Sequence, residues 1–309
     1  MSHILRIALL TLALLAMLTT LRPPPASARP VSAPVAVAWS PPDPDAAQSS
    51  VIVSFDGQPA LQAASGATRA ERRASLLRQL HARADASQAK LRATLTQLQS
   101  QGRVASFTVL WAINAIAITA DTATIQQIAR VPGVARVATD ASFRANLAPV
   151  LSPSLDAVTV TDNLTKIKAP DLWSLGFTGQ GMVVASMDTG VQGDHPDLSA
   201  KRRPGSDASS WFDPYGQHTT PADITSSSLE FKGHGTQVMG LMVGGDVMVD
   251  SATNTVYSVG VAPDATWIAA KIFDDNGDAT ESAIHAAFQW LLDPDGDPNT
   301  DDAPDVVNN

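Results

Sequence analysis

Gly181-Met-Val-Val-Ala-Ser-Met-Asp188-Thr-Gly-Val-Gln-Gly-Asp-His-Pro-Asp-Leu198 is the stretch that decides how the rest of this 309-residue chain folds. Residues Met182 to Met187 form a continuous apolar run of strand length, partly β-branched, which predicts a parallel strand buried on both faces. The run ends in a carboxylate, Asp188, followed by Thr189 and Gly190. The carboxyl end of a strand is where open α/β sheets place their reactive groups. A loop aspartate capping the next turn would read the same way from this stretch alone.

A second stretch, Phe231-Lys-Gly-His234-Gly-Thr-Gln-Val-Met-Gly-Leu-Met-Val-Gly-Gly245, sets an imidazole between two glycines. Thr236 to Val243 then reads as a short buried helix ended by Gly244-Gly245. A lone histidine at a helix start is more often structural than catalytic. A strand-end aspartate followed by a Gly-His-Gly-Thr turn is much rarer, because each exposes a titratable group on a backbone relaxed by glycine.

Together these residues resemble the subtilisin-like serine proteases. Asp188-Thr-Gly-Val with His195-Pro-Asp-Leu is similar to that family's aspartate motif, and Gly233-His-Gly-Thr to its histidine motif, in the same chain order. The similarity runs from about Gly179 to the last residue. The tail Asp293-Pro-Asp-Gly-Asp-Pro-Asn-Thr-Asp-Asp-Ala-Pro-Asp-Val-Val-Asn-Asn309 further resembles the bacillopeptidase F branch. The resemblance implies that His234 is the general base for a serine hydroxyl and that Asp188 orients it and stabilises the imidazolium. It also implies that Asn276, Gly277 and Asp278 belong to the backbone segment that pairs with an extended substrate. The family's serine, on a Gly-Thr-Ser motif, and its oxyanion asparagine are expected downstream of Asn309. The serines near the two motifs, Ser186, Ser199, Ser206, Ser226 to Ser228, Ser251, Ser258 and Ser282, lack the tight-turn setting of a nucleophile.

Length and composition fit an exported precursor of about two domains, with 44% hydrophobic residues and no cysteine. The missing thiols exclude a disulfide scaffold, thiolate zinc sites and a cysteine protease. Residues 1–28 read as a signal peptide: Arg6, an apolar run from Ile7 to Leu18 too short to span a bilayer, and Ala26-Ser-Ala28 for cleavage. Residues 29–49, rich in Pro, Ala and Ser, read as a linker. Residues 50–145 show the order strand, helix, strand, strand, helix, strand, with strands at Val51–Phe55, Val104–Leu110, Ala112–Thr119 and Val134–Ala138. The helices are Arg69–Ser100, carrying Leu76, Leu80, Leu91, Leu95 and Leu98, and Thr122–Arg130. That order is ferredoxin-like. It resembles the inhibitory propeptide of the same family, with Val131-Pro-Gly-Val134 as its last turn. The chain between Asn146 and Asp162 is the expected cleavage region, and residues 155–309 form the amino-terminal part of the peptidase domain. There Ala169 to Leu175 and Glu281 to Leu292 are expected helices. Ser206 to Phe212, Thr266 to Phe273 and Val306-Val307 are expected strands, and Asp246 to Thr255 a polar loop.

The net charge is −9. It is uneven: residues 149–309 carry 23 acidic and 7 basic side chains, residues 29–148 carry 7 and 12. Opposite signs would steer the two regions together, although an acidic surface also serves solubility alone. It argues against a nucleic-acid partner. No cofactor is required for the implied chemistry. By resemblance, Asp197 would supply a ligand to a structural calcium, with Asn254 a second candidate. The acidic run Asp293, Asp295, Asp297, Asn299, Asp301 places Gly296 wrongly for an EF-hand and reads as a solvated loop. His195 is expected to be structural, His81, His218 and His285 to lie on surfaces, and Trp211, Trp267 and Trp290 in the core.

The fold class expected is α/β, an incomplete parallel, doubly wound subtilisin-like sheet preceded by a ferredoxin-like α+β propeptide. The function expected is a secreted serine endopeptidase acting on polypeptides, held inactive by its own propeptide in cis, with no membrane partner after signal cleavage. The chain as it stands is expected to be inactive and, with one sheet edge open after Val307, poorly soluble when made alone. A non-catalytic inhibitor or binding protein retaining the fold is the alternative of another class. A metallohydrolase with Asp188 and His234 as ligands lacks further ligands at sensible spacing.

Overall fold

The computed structural model describes residues 48–55, 62–147, 162–226, 228–245, 248–250 and 255–309, all within one compact unit, Ser40–Asn309. The expected signal peptide, nearly all of the linker, most of the cleavage region and Asn254 lie outside the described residues. Among the described residues no helix is long and apolar enough to cross a membrane.

The chain begins with an antiparallel sheet of β1 (Ser49–Phe55), β2 (Val104–Leu110), β3 (Ala115–Ala120) and β4 (Val134–Thr139), in the order β2-β3-β1-β4. Between β1 and β2 runs α1 (Arg69–Ser100), and between β3 and β4 runs α2 (Thr122–Ile128). The helix α1 starts at a reciprocal cap, in which the Thr68 hydroxyl accepts from the Glu71 N–H and Glu71 accepts from the Thr68 N–H. Strand alternation divides the sheet's side chains. Val51, Val53 and Phe55 face α1 and α2 with Leu91, Leu95, Leu98, Ile116, Ile118 and Ile125. Ile52, Leu110, Ala115 and Ala117 face the other way, onto Ala286 and Phe212.

Past the short helices α3 (Asp162–Lys166) and α4 (Ala169–Ser174) comes a parallel sheet of β6 (Val183–Asp188), β7 (Trp211–Phe212, just after α5, Asp207–Ser210), β10 (Thr266–Lys271) and β12 (Val306–Asn308), ordered β12-β6-β10-β7. Trp267 and Ala269 share one face with Val184 and pack under Met239 and Val243 of α6 (His234–Val243). Ala185, Met187, Ile268 and Ala270 form the opposite face, under Ala287, Trp290 and Leu291 of α7 (Glu281–Leu292). Burial on both faces is why β6 and β10 are apolar without alternation.

Several expectations need correction. Ser206–Phe212 is not one strand: Asp207–Ser210 is a helical turn, and only Trp211–Phe212 pair with β10. Short polar side chains here bond locally, with Arg202 joining Asp207 and Ser210, and compete with a ladder. β3 starts at Ala115, because Asn114 adopts φ 52° and closes a turn on Trp111, a conformation that asparagine tolerates. The buried register of α1 uses Leu77, not Leu76. The loop after α6 contains a hairpin, β8 (Met248–Asp250) with β9 (Thr255–Tyr257), where Val and Tyr suit a pleat better than a polar loop. A further pair, β5 (Ser142–Arg144) with β11 (Asp278–Thr280), was not legible in the sequence.

Leu95 is fully buried between α1 and the antiparallel sheet. Leu95→Ala is expected to cost about 2–5 kcal/mol by lost burial and residual cavity, measured as a drop in urea midpoint at unchanged m-value.

Candidate active site

Alternation along β6 puts Asp188 on the same face as Val184, the face that α6 covers. The helix that starts at His234 therefore brings the imidazole to the strand's carboxyl end. The His234 Nδ1–H donates to Asp188 Oδ1 at 2.8 Å, a direction fixed because a carboxylate only accepts. The same oxygen accepts the Thr189 N–H at 2.7 Å. Asp188 is buried and His234 partly exposed, so one ring edge is anchored while the ring as a whole keeps access to solvent.

Two glycines permit the approach. A Cβ on Gly235 would stand 2.1 Å from the Gly190 carbonyl oxygen, and one on Gly190 would stand 2.0 Å from the Ala222 carbonyl oxygen. The backbones of the two motifs are thus in direct contact.

The residue that ties them together is Asp223, which the sequence did not single out. One carboxylate oxygen accepts from the Thr189 hydroxyl at 2.7 Å and the Ile224 N–H at 2.7 Å. The other accepts from the Thr236 N–H at 2.8 Å and the Thr236 hydroxyl. The Thr189 hydroxyl in turn accepts the Gly235 N–H at 2.9 Å. Burial raises the Asp223 carboxyl above its usual range, opposed by the hydrogen bonds from Thr236, Thr189 and Ile224. Asp223 sits in a loop without periodicity, so only its place ahead of the histidine motif could have hinted at it.

Behind the strand end lies a buried cation. Lys271, fully enclosed, is level with Asp188 in the β10–β6 register and donates to the carbonyls of Thr189 at 3.2 Å and Phe273 at 2.7 Å. Its ammonium also pairs with Asp275 at 3.2 Å. Asp275 takes His218 Nε2 at 3.0 Å as well, so His218 is a fixed partner and not a free surface ring. Burial pushes the Asp275 carboxyl up, but His218 and Lys271 outweigh it and leave the group below its ordinary value.

Gly277 and Asp278 lie where the upstream chain meets the parallel domain. Asp278 pairs with Arg144 in the antiparallel β11–β5 ladder and as an ion pair at 3.1 Å, while the Gly277 carbonyl accepts the Ala145 N–H at 2.8 Å. Asn276 is exposed, its backbone N–H donating to Asp274 Oδ1 at 2.9 Å. Asp197 is exposed and its N–H bonds His195 Nδ1 at 3.3 Å. It does not belong to the acidic group whose oxygens gather among the described residues, Asp293, Asp295 and Asp302. His195, with Asp197 and Asp223, lines a cleft of about 940 Å³ and makes no contact with Asp188 that would rival His234. Trp211, Trp267 and Trp290 are buried, and each indole N–H reaches a backbone carbonyl.

The carboxylate-held imidazole stands at the open end of the parallel sheet of an α/β domain, where such domains place reactive groups. Residues 179–309 match the model of the subtilase family, Peptidase_S8. The chain is 32% identical to bacillopeptidase F of Bacillus subtilis (strain 168) over 260 residues, 78% of this chain and 17% of that protein. It is 29% identical to subtilisin E of the same strain over 180 residues, 58% of this chain and 39% of that one. With the minor extracellular protease Vpr, also of that strain, it shares 32% identity over 161 residues, 51% and 16% of the two chains. The chain belongs to the subtilisin-like family. It spans less than half the length of each of these relatives, and the bacillopeptidase F match reaches well upstream of Gly179.

Asp223→Ala strips acceptors from both motifs at once and is expected to destabilise the protein by about 2–4 kcal/mol. It should also broaden or abolish the low-field proton resonance of the His234 Nδ1–H, whereas a variant that keeps that resonance would show the clamp to be dispensable. A pH dependence follows from Asp275. Its lowered folded value means that its stabilisation is present above the ordinary 3.8 and lost as pH falls from there through the folded value. Urea midpoints measured below about pH 4 should therefore fall more steeply for the native chain than for Asp275→Asn.

Proposed function

We propose that the chain carries the Asp–His part of the catalytic machinery of a secreted serine endopeptidase, together with the pro-segment that holds it inactive. The observation that carries this reading is the 2.8 Å bond from His234 Nδ1 to Asp188 Oδ1, clamped through Asp223. In the proposed reaction His234 Nε2 takes the proton of a serine hydroxyl as the oxygen attacks a peptide carbonyl, then returns it to the leaving amine. Asp188 fixes the tautomer and stabilises the imidazolium. Among the described residues no serine hydroxyl is hydrogen-bonded to His234. No cofactor takes part, and a calcium at Asp197 and Asn254 would be structural only.

The upstream unit, residues 50–145, acts as the propeptide. Its βαββαβ order and its β2-β3-β1-β4 sheet support a ferredoxin-like fold. Its end, β5, lies as an added antiparallel strand on β11, and Ala145 reaches Gly277. A polypeptide substrate would use that same strand edge, so the pro-segment occupies the binding site before maturation. The signal-like residues 1–28 and the relative named an extracellular protease support export.

The native protein, as its host makes it, is expected to hydrolyse casein and to be labelled on a serine by a fluorophosphonate. Residues 1–309 alone should do neither. Asp188→Asn in the active protein should lower kcat by about 10⁴-fold with KM little changed, the effect of a base that has lost its orienting carboxylate. A native protein that takes no label, cleaves nothing and still binds proteases would establish the inhibitor alternative.

A further inference from the structure

We propose that Asp293, Asp295 and Asp302 form a calcium site in the loop that joins α7 to β12, separate from Asp197 and from the Asp188–His234 pair. One carboxylate oxygen from each of the three lies within 4.8 Å of the others. An ion with calcium–oxygen distances of about 2.3–2.6 Å can hold ligands up to about 5 Å apart, so the three need not move to share one.

The second observation is Asp293 itself. It is only 6% exposed, and neither carboxylate oxygen has a hydrogen-bond partner among the described residues. A buried carboxylate left this way is strongly unfavourable unless a cation completes it. Asp302 is in the same position at one oxygen: Oδ2 accepts the Asp295 N–H at 2.7 Å, while Oδ1 is buried without a hydrogen bond. Asp295 is oriented by its own loop, with Oδ1 accepting from the Asp297 N–H at 2.8 Å and the Thr300 hydroxyl at 3.1 Å.

Basic side chains stand near but make no hydrogen bond to the unpartnered oxygens. His81 Nε2 is 3.7 Å from Asp293, and Arg73 is 3.9 Å from Asp302. The Arg73 guanidinium is engaged by the Thr300 carbonyl and by Asp301 at 3.3 Å. Arg203 donates to the carbonyls of Asp302 and Ser209. Burial raises the Asp293 and Asp302 carboxyls above their usual range, and for Asp293 the charges on Asp302 and Asp295 add to it. The donor set is hard oxygen on an irregular loop, with Asp295 open to solvent for coordinating water. That suits calcium better than magnesium, which demands a tight octahedron. The expectation of a merely solvated acidic loop fails at Asp293, because α1 covers that end of it.

The test is calorimetric titration of calcium into the full-length precursor, first stripped with EDTA. Binding at this loop is expected, weakened at least tenfold by Asp295→Asn and changed less than twofold by Asp197→Asn. Asp295 is exposed, and a melt in EDTA checks that its variant is folded. Terbium gives an independent measurement on the unmutated chain. Trp111 stacks on His81 at 4.1 Å between ring centroids, so indole excitation should sensitise terbium emission that calcium, but not magnesium, displaces. Absence of calcium binding up to about 10 mM, well above extracellular-type affinities, would overturn the proposal. So would absence of sensitised emission, equal affinity in Asp295→Asn, or loss of the site in Asp197→Asn alone.

Discussion

One buried carboxylate holds two loops that have every reason to part. The strand-end loop at Asp188–Gly190 and the helix-start loop at Gly233–Thr236 each present backbone N–H groups with no ladder or helical partner. Asp223 accepts from both loops, through Thr189 on one side and Thr236 on the other. Thr189 closes the circuit by accepting the Gly235 N–H. The geometry of the His234–Asp188 bond is thus supported by hydrogen bonds outside the pair, beside the one from the Thr189 N–H to Asp188 Oδ1. It tolerates no extra bulk, as the contacts at Gly190 and Gly235 show.

The sheet contributes the other half of the constraint. Alternation along β6 assigns Asp188 to the α6 face, and the β10 register puts Lys271 level with it. The buried ammonium holds the Thr189 and Phe273 carbonyls, fixing the chain leaving both strands. A buried lysine survives this deep because carbonyls and Asp275 replace its water. The site is rigid from below through the cation and from above through Asp223, leaving the imidazole's free edge as the accessible element.

What the sequence made legible follows from the range of the forces involved. The β6 and β10 strands, α6 and α7 were readable because burial on both faces or on one stripe writes itself into local composition. The two motif residues were readable because His234 stands between two glycines and Asp188 ends an apolar strand just ahead of Thr189-Gly190. Asp223, Lys271 and the β5–β11 ladder were not, since each depends on partners distant in the chain. Asp207–Ser210 and Asn114 misled because short polar side chains choose a turn by local bonding, which no apolar period reports. Asp293 was misjudged for the same reason: its own neighbours are polar, and the helix that buries it is far upstream.

The charge contrast between the upstream unit and the parallel domain finds its contacts along α1. Arg69 meets Asp305 at 3.3 Å, Arg73 meets Asp301, and Arg78 bonds Asn299 at 3.0 Å. Exposed pairs of this kind contribute little each, about 0–1 kcal/mol. The stronger attachment is apolar and buried: Ile52, Leu110, Ala115 and Ala117 of the antiparallel sheet against Ala286 and Phe212. Around it the helix α7 is tied by buried or half-buried bonds, with Asp140 accepting the Ser282 N–H at its first turn and Gln289 bridging Val109 and Ala112. The arginines add exposed contacts between the two parts, and the sheet face against α7 provides most of what keeps them together.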